Sequence, residues 1–158
     1  MEKTKTQKIK SRHASKGVEV KRSKLGGLGL FATRDFKKGE FIIEYIGEKL
    51  TTAEADRRGG KYLFILNKHF TLDGKSRKNI ARYANHACRP SAESDVKKMR
   101  VVVTALRPIH TGEEIAYDYG KEYFDEFIKP KGCQCGFCDG KGKKIPLRIL
   151  KKNRSKKS

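Results

Sequence analysis

Ala81-Arg82-Tyr83-Ala84-Asn85-His86-Ala87-Cys88 decides the reading of this chain, because it sets an amide, an imidazole and a thiol within four positions. Taken alone, Asn85-His86 reads as a turn with a hydrogen-bonded histidine, the commoner fate of a lone His. Cys88 adds a second consideration. The other three cysteines crowd into Cys133-x-Cys135-x-x-Cys138, which offers three thiolates to one ion and leaves a tetrahedral Zn²⁺ one ligand short. Cys88 is the remaining candidate. A secreted disulfide framework rarely packs three cysteines so closely, so a reducing compartment and a metal fit better.

Around this stretch lies a chain of 158 residues, a length that suits one domain with short appendages. The formal net charge is +20, and it is concentrated at the ends: residues 1–25 carry nine basic and two acidic residues, and 141–158 carry nine basic and none. Residues 26–140 hold 20 basic against 16 acidic, the balance of an ordinary globular body. We therefore expect a basic tail over 1–16 and another over 141–158, with compositions that favour disorder. Such tails suit non-specific contact with nucleic acid by counterion release, and charge alone carries no base readout. No apolar run reaches a membrane-spanning length and no secretory signal is visible, so a soluble protein without a membrane partner is expected.

The body reads as short strands broken by turns. Val18-Glu19-Val20, Gly26 to Ala32 and Phe41 to Ile46 are the first, the last following the turn Lys37-Lys38-Gly39-Glu40. Thr51 to Arg58 begins on a capping residue and stops at Gly59-Gly60, which predicts a short helix. Tyr62 to Leu66 and Phe70-Thr71-Leu72 read as further strands, and Arg100 to Ala105 is the strongest, a continuous run suited to a buried strand. Pro108 and Gly112 mark a turn before Ile115-Ala116-Tyr117-Asp118-Tyr119. Many short strands without long alternating helices argue against a doubly wound nucleotide-binding fold. Gly26-Gly27-Leu28-Gly29 is not a phosphate loop, since no helix follows it and no Gly-Lys-Ser/Thr is present. Those glycines either turn the chain or let its backbone approach a ligand.

Three segments, read in order, carry a resemblance: Gly27-Leu28-Gly29-Leu30-Phe31-Ala32 leading to Gly39-Glu40-Phe41; the Ala81–Cys88 stretch; and Gly112-Glu113-Glu114-Ile115-Ala116-Tyr117-Asp118-Tyr119. Together they resemble the SET-domain family of protein lysine methyltransferases, over about Val18 to Gly140. The resemblance implies a mainly β fold of several small sheets, in which the Asn85-His86 segment and the later chain thread through one another in a knot-like way. It divides the chain into a catalytic domain over 17–120 and a zinc-binding segment over 121–140. Two clefts meeting at a narrow channel are implied, one for S-adenosylmethionine and one for the substrate lysine.

Carried over position by position, the resemblance assigns Gly27, Leu28, Gly29, Arg82, Tyr83, Asn85 and His86 to the cofactor. It assigns Tyr119 to positioning amine and methyl, with Tyr62 and Tyr117 lining the channel, and a tyrosine at 117 suits an enzyme that stops at one methyl, sometimes two. Cys88, Cys133, Cys135 and Cys138 become the ligands of one structural Zn²⁺ that walls the channel. Two features depart from the family pattern: two residues separate Cys135 from Cys138 where four are common, with no aromatic following, and Lys78 precedes Asn79 where a glycine is common. The expected substrate is a basic protein such as a histone or another chromosomal or ribosomal protein. Chromatin, a bacterial cytoplasm and a secreted effector are all compatible locations. Two rivals stand beside the enzyme: a basic zinc-bearing nucleic-acid-binding protein, and a non-catalytic SET module.

Overall fold

A computed structural model describes residues 17–146. The expected tail over 1–16, and the part of the C-terminal tail from 147 onward, lie outside the described residues. Within them the protein is mainly β, as its short apolar runs predict. β1 (Val18–Arg22) and β2 (Leu28–Ala32) pair antiparallel from Val18 against Ala32 to Arg22 against Leu28. The turn between them is closed by the Ser23 N–H on the Gly27 carbonyl at 2.9 Å, with Gly26 and Gly27 both at positive φ.

Phe41–Tyr45 (β3) buries Ile42, Ile43, Glu44 and Tyr45, with a register shift at its start against β9 (Arg100–Ala105). Glu48–Thr51 (β4), Leu63–Ile65 (β5) and Phe70–Asp73 (β6) make a separate three-stranded sheet in the order β4-β6-β5. The helix α1 (Thr52–Arg58) follows β4. The Thr51 hydroxyl accepts from the Glu54 N–H at 3.2 Å to cap it, and Gly59 ends it at positive φ.

Strand β8 (Ala92–Lys97) is not evident from the sequence. Ala92-Glu93-Ser94-Asp95-Val96-Lys97 has little apolar content, and it is a strand because all six residues pair with β9. The two are joined by Lys98 and Met99, both at positive φ, which gives the twist a two-residue hairpin turn requires.

β10 (Glu114–Tyr117) organises the larger, seven-stranded sheet. Its first half pairs antiparallel with β2. Its second half pairs parallel with β7 (Asn85–His86) through Ala116 and Tyr117, and Tyr117 also pairs with Ala92 of β8. β7 and β8 therefore flank β10, and the connection from Ala87 to Ser91 has to cross it. The crossing is sealed by Ala87 N–H to Tyr117 O at 3.1 Å and Ser91 N–H to Ala116 O at 3.1 Å. β7, β10 and β8 are parallel, so the connection is a short crossover that puts the later strand between two earlier ones. Leu30, Ile42, Ile43, Val101, Val103, Ile109 and Ile115 form the core around it, all at most 1% exposed.

Asn79 locks the 3₁₀ turn Ile80–Tyr83 to this core. It is 1% exposed, accepts from the Ile46 N–H at 3.0 Å, and donates to the Gly74 carbonyl at 3.0 Å. Asn79→Ala strands both backbone groups without a partner, so a loss of roughly 2–4 kcal/mol is expected. Urea unfolding would show it as a lower midpoint at unchanged slope; a midpoint equal to wild type would mean that water replaces the amide.

Candidate functional site

Two cavities share a wall at the end of β10. The larger, about 620 Å³, is lined by Gly26, Gly27, Asn85, His86, Tyr123, Phe127 and the stretch Gly132–Cys135, among others. The smaller, about 70 Å³, is a narrow slot between Tyr45, Tyr62, Phe64, Arg82, Tyr117 and Tyr119. Lys61, Tyr119 and Tyr123 line both.

Register explains why these side chains meet. Pairing of Tyr117 with His86 brings the Asn85-His86 segment against the end of β10, and β2 abuts the same side. The Asn85 amide donates to the Leu28 carbonyl at 3.1 Å and to Glu114 Oε1 at 2.8 Å, and the Ser23 hydroxyl donates to the same Glu114 carboxylate at 2.8 Å. Gly29 makes room for this: a Cβ there would lie 2.4 Å from Glu114 Oε1. Glu114 thus ties three segments beneath the cavity, a role not legible in its Glu-Glu context.

His86 is buried between the rings of Tyr119 and Phe124, at centroid distances of 5.5 and 5.2 Å. Its Nδ1 accepts the Tyr119 N–H at 3.1 Å, so the ring proton belongs on Nε2, which faces Cys88 Sγ at 3.4 Å. Burial pushes its pKa down, and Asp118, 3.8 Å away, opposes only in part. The imidazole is a neutral orienting group.

The narrow slot is phenolic. Tyr119 donates its hydroxyl proton to the Ala84 carbonyl, and Tyr45 donates to the Tyr62 carbonyl at 2.8 Å. Burial pushes Tyr45, Tyr117 and Tyr119 well above the ordinary phenol range, so each keeps its proton at neutral pH. No carboxylate lines the slot among the described residues, and its charged groups are Arg82 and Lys61. The site can hold and align an amine, but it contains no strong base.

Of the positions expected to hold the cofactor, Gly27, Asn85 and His86 line the larger cavity. Leu28 is 50% exposed and Gly29 packs against Glu114, Ser23 and Asn85, and neither lines that cavity. Arg82 lines the narrow slot instead, and Tyr83 faces the Arg82 guanidinium at 5.2 Å without lining either cavity. Sequence reasoning passed over Tyr45, Lys61, Tyr123 and Phe127. The last two lie on an irregular helical stretch, Lys121–Tyr123 followed by the π turn Phe124–Ile128. Their four-residue spacing is the signal that could have found them. They supply an aromatic wall ahead of the cysteine loop, where none follows Cys138.

The sulfur atoms of Cys88, Cys133, Cys135 and Cys138 all lie within 4.8 Å of one another. Cys88 to Cys133 is 3.9 Å and Cys135 to Cys138 is 3.7 Å. Four sulfurs at ordinary zinc–thiolate distances around a tetrahedral centre stand about 3.8 Å apart, so the set can hold a metal ion. The Phe137 N–H on Cys135 Sγ at 3.4 Å further suits a thiolate. Burial, with hydrogen bonds and charge from the neighbouring cysteines, pushes the Cys88 thiol far up, while the backbone N–H groups of Gly140 and Gly142 outweigh burial at Cys138 and pull its thiol down.

A family model described as SET domain matches residues 27–120. The chain is 37% identical over 131 residues to Histone-lysine N-methyltransferase trr of Drosophila melanogaster, covering 75% of this chain and 5% of that protein. It is 35% identical over 140 residues to Histone-lysine N-methyltransferase, H3 lysine-4 specific, of Emericella nidulans, covering 80% and 12%. Human Histone-lysine N-methyltransferase 2D is 34% identical over 131 residues, covering 75% and 2%. The chain thus spans a small part of the length of these curated relatives.

Gly29→Ala tests the geometry beneath the larger cavity. The added methyl must displace the Glu114 carboxylate, which releases the Asn85 amide, and a loss of about 1–3 kcal/mol is expected. Thermal unfolding measures it; a variant as stable as wild type would show that Glu114 is free to move aside.

Proposed function

The chain belongs to the SET domain family, and from that premise we propose that it is an S-adenosylmethionine-dependent protein-lysine N-methyltransferase. The observation that carries this reading is the wide cavity joined to a narrow aromatic slot across Tyr119, Tyr123 and Lys61. S-Adenosylmethionine, when bound, supplies an electrophilic methyl group on a sulfonium. Gly27, Asn85 and His86 would hold it in the larger cavity, and Phe127 and Tyr123 would cover it.

The Tyr119 hydroxyl donates its hydrogen bond to the Ala84 carbonyl, which leaves its lone pairs to accept an N–H from the substrate amine. That bond aligns nitrogen for in-line attack, and alignment is the main contribution such a site makes. Tyr62 and Tyr117 enclose the lysine stem. Water takes the proton, since no residue of the slot can. Crowding by Tyr45, Tyr117 and Tyr119 supports monomethylation, with some dimethylation.

The four cysteines hold one structural Zn²⁺, which ties the crossing at Cys88 to the loop that walls the larger cavity. The relatives' names point to histones, and that of the Emericella nidulans protein to lysine 4 of histone H3, so a histone or another basic chromosomal protein is the proposed substrate and chromatin the proposed location. The basic tails would add non-specific contact with nucleic acid. A zinc-bearing nucleic-acid-binding protein explains the charge and the cysteines but gives the Tyr119 slot no role.

Methyl transfer from labelled S-adenosylmethionine to a panel of histones and other basic proteins tests the reading, with products read by mass spectrometry. Tyr119→Phe is expected to lower the rate about 100-fold or more. Absence of both transfer and cofactor binding in the wild type would leave the nucleic-acid-binding rival as the better account. Metal analysis is expected to find one zinc per chain. Its removal by a chelator should lower the melting temperature and weaken cofactor binding; a stripped protein that binds cofactor as before would separate the metal from the cavity.

A further inference from the structure

Resting on the methyl-transfer reading above, this inference concerns one wall of the narrow slot. Arg82 reaches that wall from the turn Ile80–Tyr83. Its guanidinium carbon lies 4.2 Å from the Tyr62 ring centroid, Nη2 donates to the Tyr62 hydroxyl at 3.2 Å, and Nη1 donates to the Lys75 carbonyl. The group is held in one orientation, yet its Nε–H is buried with no acceptor among the described residues. A positive charge with incomplete hydrogen bonding therefore borders an aromatic cavity.

The other polar groups facing that cavity are Tyr45 from β3, Lys61 and Tyr62 ahead of β5, Tyr117 from β10, and Tyr119 and Tyr123 beyond it. Of the carboxylates around it, Asp73 pairs with Arg58 at 3.1 Å, Glu44 with Arg100 at 2.7 Å, and Asp118 sits by His86, while Glu126, whose charge reaches Tyr123, is exposed and does not line the slot. An incoming ammonium meets two cations and no anion, and Arg82 already occupies a face of Tyr62 that would otherwise attract it.

We propose that Arg82, seconded by Lys61, is a positioning residue that fixes Tyr62 and makes the slot receive the substrate lysine as its uncharged amine. The ammonium leaves its proton with water, and the electron pair of the broken N–H bond stays on nitrogen as the lone pair that attacks. Exclusion of the charged form is useful in a site without a base, because only the neutral amine can react.

Two peptides test this without turnover: one spanning lysine 4 of histone H3, and its twin with norleucine at that lysine, each titrated at pH 7 by fluorescence anisotropy. Wild type is expected to bind the norleucine twin about tenfold more tightly, the equivalent of one pH unit of charge penalty. Arg82→Met should cut that preference to about twofold, Arg82→Lys should keep it, and Lys61→Met, at an exposed position, should reduce it in part. In methyl transfer to histone H3, Arg82→Met should also raise the pH of half-maximal rate by about one unit. A preference unchanged in Arg82→Met and Lys61→Met, or lost as fully in Arg82→Lys as in Arg82→Met, would overturn the inference. Should Arg82→Met fail to fold, Lys61→Met decides alone. Methyl transfer with an unchanged preference sinks only the inference; wild type that neither binds the peptides nor methylates histone H3 sinks the substrate reading and the inference together.

Discussion

Everything at the site hangs on the four residues of β10 and the loop that crosses them. Because β2 and β7 meet one side of β10 and β8 the other, one strand sets the positions of the glycine turn, the Asn85-His86 pair and Cys88 at once. Backbone pairing is a stiff constraint: a one-residue slip would turn Tyr117 from the slot and move its partner His86 away from the Tyr119 N–H. Ser91 reinforces the crossing, its hydroxyl accepting from the Ala116 N–H at 3.2 Å while lying 3.2 Å from the Glu114 carbonyl.

Polar groups under the cavities are spent on architecture. The Asn85 amide and Ser23 hydroxyl converge on Glu114, Asn79 bridges two backbone segments, and Glu44 accepts a bidentate Arg100. Buried polar groups that find partners in this way rigidify their surroundings. What is left facing the narrow slot is mainly phenol and cation, and the proposed alignment and exclusion of charge rest on that lining. Gly74 belongs to the same economy of space, since a Cβ there would lie 2.2 Å from the Tyr45 ring.

The cysteine cluster is a second, smaller core. Cys88, Cys135 and Cys138 pack with Ala87, Ala116 and Phe124, so the crossing loop, β10 and the irregular helical stretch share one apolar contact. A metal held there would act on the larger cavity through covalent geometry: Cys88 follows His86 by two residues, and His86, Cys133 and Cys135 line that cavity themselves.

The sequence by itself determined the class of fold and most of its pieces. Apolar runs marked β2, β3 and β9, Thr51 and Gly59 bounded α1, and cysteine spacing with the Asn85-His86 and Gly112–Tyr119 segments pointed to the family, because local pattern and spacing carry that information. It could not yield β8, whose polar residues become a strand only by pairing with β9, nor β7, two residues long. Nor could it tell on which side of a 3₁₀ turn a side chain emerges. Arg82 and Tyr83 are neighbours in the chain, but three residues per turn send successive side chains about 120° apart, so Arg82 faces the slot and Tyr83 does not. Tyr45, Lys61, Tyr123 and Glu114 entered the site for another reason. Their positions follow from tertiary packing across dozens of residues, which no local pattern records.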